Sequence, residues 1–387
     1  MKHLLALFFL LISLSTIAQV PQAQDRCGTD ELTQNLIDDG TLDPSIHSAY
    51  SAAIRHWTQN NPGPYGVSAM QSLMGGSSCD SAQYLVPVVL HIVHSSGTSI
   101  GTAENIDSLQ AVSQLATLNA KMGGNSSFDT KIRFVLAKRD PNGAVSSGIL
   151  RHSSTRFTDI EFDNDSAAAM FRTYNWNENR YVNIYVVKSI LDSDGSGGWK
   201  ASSVGGYSFY PTTIGYQPQG IVALYNWFGD YDAYTSGPLD TRSDGEVLVH
   251  EIGHYLGVYH PWQGSCMGGT STDCDTKGDL CCDVAQSQFR VFDCSSTINT
   301  CPDSSDTDAV RNYMSYSGDD CREEFTSDQT RLMYATLEMY RSQLWNPKSV
   351  NTIAAEECMW TAHFYGRNRT FVYMKKSNTS CHVFYFL

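Results

Sequence analysis

Hydrophobic and polar positions divide the chain into stretches of different character. Residues 4–18 are dominated by apolar side chains behind a Met-Lys-His start, and polar residues take over from Gln19. A short positive start, an apolar run of this size and small residues at its end describe a secretory signal peptide, with the cut near Ala18. The run is shorter than the roughly 20 apolar residues of a membrane-spanning helix, and no later stretch is long enough, so no membrane anchor is expected. Residues 19–83 carry weak helical patterning around 31–37 and 46–57, broken by Asn61-Pro62-Gly63-Pro64 and Gly75-Gly76-Ser77-Ser78. Such punctuation marks loops, and a dependent prosegment is expected there.

The pattern changes at Tyr84. Residues 84–94 form a β-branched run that reads as a buried strand. In 102–122, Ile106, Leu109, Val112, Leu115 and Leu118 recur at helical spacing, with Thr102 as a candidate N-cap. Residues 132–138, 181–190 and 220–225 are strand-like, and 244–256 has a helical pattern. This order predicts an α/β sheet with helices packed on it. Between 261 and 320 periodicity disappears, and Cys, Asp, Ser and Gly dominate. Seven cysteines from Cys266 to Cys321 can staple such irregular chain. A last helix is expected over 327–345, after Thr326. One large domain therefore spans 84–346, and 347–387 is an aromatic-rich tail to which no role is assigned.

Composition narrows the function. Eleven cysteines suit an oxidising compartment, so the protein is expected outside the cell, and the odd number leaves at least one thiol over or pairing between chains. A net charge of -14 argues against nucleic acid as a partner, because phosphate binding needs a basic surface. His91 and His94, three apart on the first strand, point to opposite faces and read as strand residues rather than ligands.

The candidate chemistry sits in His250-Glu-Ile-Gly-His-Tyr-Leu-Gly-Val-Tyr-His260. Residues four apart share a helix face, so His250 and His254 present two imidazoles side by side, a pair suited to zinc. Glu251 is placed to act as general base on a water at the metal. Gly257 can take a left-handed conformation, end the helix and let His260 return as third ligand. Three protein ligands leave one position open, which is the arrangement of a catalytic zinc rather than a structural one.

This motif, followed by Asn312-Tyr-Met-Ser-Tyr316, resembles the metzincin metalloproteases and, more narrowly, the pappalysin family. Residues 86–94, 132–137, Asp140-Pro141, Gly148-Ile149, 181–185 and Phe325-Thr326-x-x-Gln329 support the resemblance, which covers about 84–345. It implies a twisted five-stranded sheet with a backing helix and an active-site helix above an irregular, disulfide-rich lower lobe. It also implies that Met314 forms a base beneath the metal and that Tyr316 stabilises an oxyanion. The expected activity is hydrolysis of peptide bonds in protein or peptide substrates. A non-catalytic zinc module on the same scaffold and a zinc hydrolase of other acyl bonds are the alternatives. Intact Glu251 disfavours the first, and the Met-turn and strand order disfavour the second.

Further expectations follow from the resemblance. Gly278-Asp279-x-x-x-Asp283 matches a structural calcium region, although Val284-Ala285 and Cys281-Cys282 depart from the family pattern. Asp319, after the Met-turn, matches a position that gives relatives a preference for Arg or Lys just after the scissile bond. Disulfides Cys274–Cys301 and Cys294–Cys321 are implied, and Cys358–Cys381 is expected on proximity alone. Cys281 and Cys282 are expected to pair elsewhere, with Cys79 and Cys266 as available partners. Arg26-Cys27-Gly28-Thr29 resembles the prosegment motif in which a thiol occupies the zinc, making the prosegment an intramolecular inhibitor; a Cys27–Cys79 disulfide is the rival reading.

Overall fold

The computed structural model describes residues 26–61, 84–123, 129–266, 274–275, 278–302, 304–318, 320–345, 371–377 and 380–386. The signal-peptide reading, Cys79, Asp319 and Cys358 lie outside them.

The centre is β2 (Tyr84–His94), whose β-branched run is buried on both faces. It is long enough to take two partners on one side: β3 (Ile132–Leu136) along its first half and β4 (Ile149–Ser153) along its second. On its other side lie β6 (Val182–Val187) and then β10 (Ile221–Leu224), all parallel. Beyond them β9 (Val204–Ser208) runs antiparallel to β10. The five strands β3, β2, β6, β10 and β9 are the expected sheet. Two more join it: β4, and β1 (Arg26–Cys27) from the N-terminal segment, which adds parallel to β9. A small second sheet holds β5 (Asp159–Glu161), β7 (Ser189–Ser193) and β8 (Trp199–Ala201). A hairpin of β11 (Phe371–Ser377) and β12 (Ser380–Phe386) forms in the tail.

Helices cover both faces, as a parallel sheet requires. One face buries Val86, Val88, Leu90 and Ile184 against α3 (Ser108–Met122), α5 (Glu246–Tyr255) and α6 (Ser327–Met339). The other buries Tyr185, Val187, Val222 and Leu224 against α1 (Thr29–Asp38) and α4 (Asn164–Tyr174). The N-terminal segment thus belongs to both cores, because α2 (Ile46–Asn60) puts Tyr50 and Ile54 into the first while Leu32 and Leu36 of α1 sit in the second. Weak local patterning in 19–83 concealed that long-range packing.

Two local expectations change. Helix α3 starts at Ser108 rather than Thr102: the Asp107 carboxylate accepts from the Gln110 amide at 2.8 Å, while Thr102 is spent in a tight turn with Asn105. Consequently Leu109 is exposed and the buried stripe begins at Gln110 and Ala111. In the lower lobe, Cys294 pairs with Cys321, but Cys274 pairs with Cys282 and Cys301 with Cys266, which corrects the Cys274–Cys301 expectation. Left-handed Gly278 and Leu280 fold the chain back, so the Cys274 and Cys282 Cα atoms lie 5.1 Å apart, within bridging range. Its neighbour Cys281 points into the apolar core as a free thiol.

His91 is buried, stacked on Tyr185 at 4.5 Å and bonded to His152 and Asn183, each at 3.0 Å. Burial holds its pKa down to about 3, so it is a neutral packing residue. His94 bonds the Ser95 carbonyl at 2.9 Å.

Candidate metal centre

Helix α5 delivers His250, Glu251 and His254 on one buried face. It ends in a Schellman turn: the amide of Gly257 bonds the His254 carbonyl at 2.8 Å and that of Val258 bonds the Gly253 carbonyl at 2.9 Å. Gly257 has φ +90, a conformation costly for any residue with a Cβ. That turn returns the chain so that His260 meets the other two rings.

The three Nε2 atoms form a triangle with sides of 3.1 Å. Each Nδ1 faces an oxygen: His250 the Tyr313 carbonyl at 2.7 Å, His254 the Val258 carbonyl at 2.7 Å, and His260 the Asp30 carboxylate at 2.8 Å. Each ring therefore carries its proton on Nδ1 and turns the Nε2 lone pair toward the other two. Burial, reinforced by the neighbouring imidazoles, pushes His250 and His254 well below the usual histidine range and keeps them neutral. Three converging lone pairs repel one another unless a cation lies between them. A tetrahedral zinc with bonds of about 2.0–2.1 Å calls for nitrogen spacings of roughly 3.3–3.4 Å, so the donor set fits one.

Met314 packs directly beneath α5. A Cβ on Gly253 would overlap its sulfur, so the glycine inside the motif is what admits the methionine. The turn carrying Met314 is tied to α6 by a reciprocal amide pair, Asn312 Nδ2 to Gln329 Oε1 at 2.8 Å and Gln329 Nε2 to Asn312 Oδ1 at 3.0 Å. Gln329 also completes the capping box with Thr326 at the start of α6.

The N-terminal segment fills the cleft. The Cys27 thiol joins the three imidazoles, all four ligand atoms lying within 4.8 Å of one another. Its amide donates to the Tyr316 hydroxyl and that hydroxyl donates to its carbonyl, both at 2.9 Å. Glu251 accepts from the Thr29 hydroxyl at 3.1 Å and the Cys27 thiol at 3.5 Å. Burial pushes the Glu251 carboxyl up to about 8 despite these bonds. Burial works the same way on Asp30, but its electrostatic interaction and hydrogen bond with the His260 ring N–H, helped by His254 and the Tyr210 hydroxyl, outweigh it and hold that carboxyl well below the usual range. A small cavity beside Glu251 is lined by Gly205, Gly206, Val247, His250 and Arg322, with Cys27 closing it.

Sequence reasoning did not single out Asp30, Glu246 or Arg322 at this site, and named Thr29 only as part of the Cys27 motif. Glu246 and Arg322, 76 residues apart, form a buried ion pair at 2.9 Å, and Lys121 bonds the other Glu246 oxygen. No local pattern announces a pair so separated. Asp279 and Asp283 lie in the lower lobe; among the described residues neither shares a cluster of three ligating side chains.

Residues 165–338 match the model of the peptidase family described as pregnancy-associated plasma protein-A. Residues 165–338 thus match a pappalysin-family metalloprotease domain. An extracellular metalloprotease of Neurospora crassa is 30% identical over 166 residues, 42% of this chain and 50% of that protein. One of Colletotrichum graminicola is 32% identical over 142 residues, 35% of this chain and 46% of that protein. The chain thus spans about half the length of the curated relatives it matches. Among solved structures, a mutant of Tannerella forsythia promirolysin has a similar fold, with a TM-score of 0.59, 23% identity, and 83% of this chain and 99% of that one covered. Mature mirolysin with a cleaved peptide has a TM-score of 0.52 at 26% identity, covering 68% of this chain and 98% of that one. The pappalysin domain here is a metzincin-like mixed α/β fold, and its family implies a catalytic metal.

Replacing Gly253 with Ala should destabilise the pappalysin domain by about 1–3 kcal/mol, the usual range for forcing extra volume into a packed core. Urea unfolding of the purified chain measures this; an unchanged midpoint would show that Met314 does not bear on α5 at that point.

Proposed function

We propose that the chain is a secreted zinc-dependent endopeptidase made as a latent precursor. The observation that carries this reading is the buried triangle of His250, His254 and His260 Nε2 atoms, 3.1 Å on a side, with Glu251 next to it on the same helix. These three histidines would hold zinc, which supplies Lewis acidity toward the scissile carbonyl and toward the attacking water. Glu251 takes the proton of that water and delivers it to the departing amine nitrogen. Tyr316, whose hydroxyl already bonds the main-chain amide and carbonyl of Cys27, donates to the oxyanion of the tetrahedral intermediate. Met314 supports the histidines from below.

Residues 1–18 serve as the signal peptide, 19–83 as the prosegment and 84–346 as the catalytic unit. Extracellular relatives support secretion, and among the described residues no helix is long and apolar enough to cross a membrane. The contacts of Cys27 support its role as latency device, because its thiol stands where substrate and water must enter. That Cys27 is a free thiol also favours this reading over a bridge to Cys79. For calcium, Asp279 is the residue to consider: it is fully buried, its Oδ2 and the Gln286 Oε1 lack hydrogen-bond partners among the described residues, and burial raises its carboxyl well above the usual range. Orphaned buried oxygens are the donors calcium takes, and Asp283 lies close enough in sequence to contribute. Arg or Lys preference after the scissile bond rests on Asp319.

Casein hydrolysis by the activated chain should disappear with a zinc chelator and fall roughly 10²–10⁴-fold in Glu251→Ala at equal zinc content. Comparable turnover in that variant would remove Glu251 from the mechanism, and no hydrolysis by the wild type would favour the non-catalytic module. The Cys27→Ala precursor should cleave from the outset where wild type shows a lag; silence equal to wild type, or a Cys27–Cys79 bridge in peptide mapping, would refute thiol latency. Peptide-library profiling should show Arg favoured over Lys after the scissile bond, and Asp319→Ala should erase that preference. Unchanged selectivity would clear Asp319 of the role.

A further inference from the structure

The three imidazoles do not own their hydrogen-bond acceptors equally. His250 and His254 use carbonyls of the catalytic unit itself, those of Tyr313 and Val258, both at 2.7 Å. The acceptor for His260 is Asp30, a side chain of the segment proposed to be removed on activation. Asp30 is firmly held: its other oxygen accepts from the Tyr210 hydroxyl at 2.8 Å, and it stands in the first turn of α1, which buries Leu32 and Leu36. Trp262 stacks on the His260 ring at 4.2 Å with the planes 14° apart. Stacking fixes the plane of that ring but leaves its tautomer undetermined.

We infer that Asp30 is a positioning residue of the metal site, which holds His260 in its ligand tautomer so that the precursor retains its metal more tightly than the enzyme freed of the segment. The inference rests on the reading of His250, His254 and His260 as zinc ligands. A carboxylate on the distal nitrogen of a ligating imidazole fixes the proton on Nδ1 and raises the basicity of Nε2, and loss of such a partner typically costs roughly 10–100-fold in metal affinity. The N-terminal segment would therefore help to load the metal as well as to block the cleft. Asp30 and Cys27 do these jobs separately, Asp30 through His260 and Cys27 at the open position.

The test uses the full chain in a Glu251→Ala background, which keeps the segment attached. Zinc affinity is measured by competition with a chromogenic chelator, and the cobalt-loaded protein is examined for the thiolate-to-metal charge-transfer band that reports Cys27. Asp30→Ala should bind zinc roughly 10–100-fold more weakly while keeping the band. Asp30→Asn should lose less, because an amide oxygen still accepts from Nδ1, and Tyr210→Phe should lose little. Zinc affinity in Asp30→Ala within twofold of the parent would overturn the inference. So would loss of the charge-transfer band along with affinity, since Asp30 would then only dock the segment. Failure of the underlying reading looks different: His260→Ala would bind zinc as tightly as the parent.

Discussion

Everything at this site depends on holding three imidazoles with their Nε2 atoms 3.1 Å apart and facing one another, an arrangement that repels itself until a cation enters. A side chain left free would rotate out of it. The chain prevents rotation by giving each Nδ1 a fixed oxygen, and each oxygen comes from a different structural device. For His254 it is the Schellman turn, which aims the Val258 carbonyl back at the ring. For His250 it is the Met-turn, anchored to α6 by the Asn312–Gln329 amide pair. For His260 it is Asp30.

These devices need support of their own, which explains the buried charges behind them. Arg322 bonds Glu246 at 2.9 Å and the Ser315 carbonyl at 3.1 Å, so one guanidinium joins the first turn of α5 to the loop that carries Met314 and Tyr316. Lys121, from the end of α3, meets Glu246 and Asp244 on the other side. A buried ion pair of this kind contributes little net stability against an apolar replacement, yet removing one partner leaves an unmatched charge. Its value here is positional: α3, α5 and the Met-turn cannot slide past one another without breaking it.

The zinc-motif helix and the central strand were legible because their signals are local. His250, Glu251 and His254 fall within one helical turn or so, and 84–94 announces a buried strand by composition. Strand β9 was not legible, since Gly205-Gly206 depresses strand propensity; yet those glycines are required, as a Cβ on Gly206 would press on the Val222 carbonyl and Val247, each at 2.9 Å. The α3 start was missed by choosing Thr102 over the nearer Asp107. The lower-lobe disulfides were misread at Cys274 because two left-handed residues reverse the chain before Cys282, and backbone handedness at Leu280 has no sequence signal. Thr29 and Asp30 sat beside a residue already singled out, but their partners, Glu251 and His260, lie more than 200 positions away.

A cleft of the proposed hydrolytic function is necessarily a collection of polar groups awaiting partners, and here the stretch 26–30 satisfies them nearly one by one. Main-chain atoms of Cys27 occupy the Tyr316 hydroxyl, Thr29 and the Cys27 thiol occupy Glu251, and Asp30 occupies His260. The amide of Gly28 bonds the Gly206 carbonyl at 3.2 Å, extending the pairing of β1 with β9. Since a buried polar group without a partner costs about 1–3 kcal/mol, the occupied cleft is the more stable one as long as no water can replace the segment. Severing the chain after residue 61 would leave these contacts intact, with α1 and α2 still seated in the two cores. On the proposed reading of 19–83 as a prosegment, a cut after residue 61 would therefore not be enough: the grip would have to be weakened at the cleft itself, or the two helices digested away, before water reached Glu251.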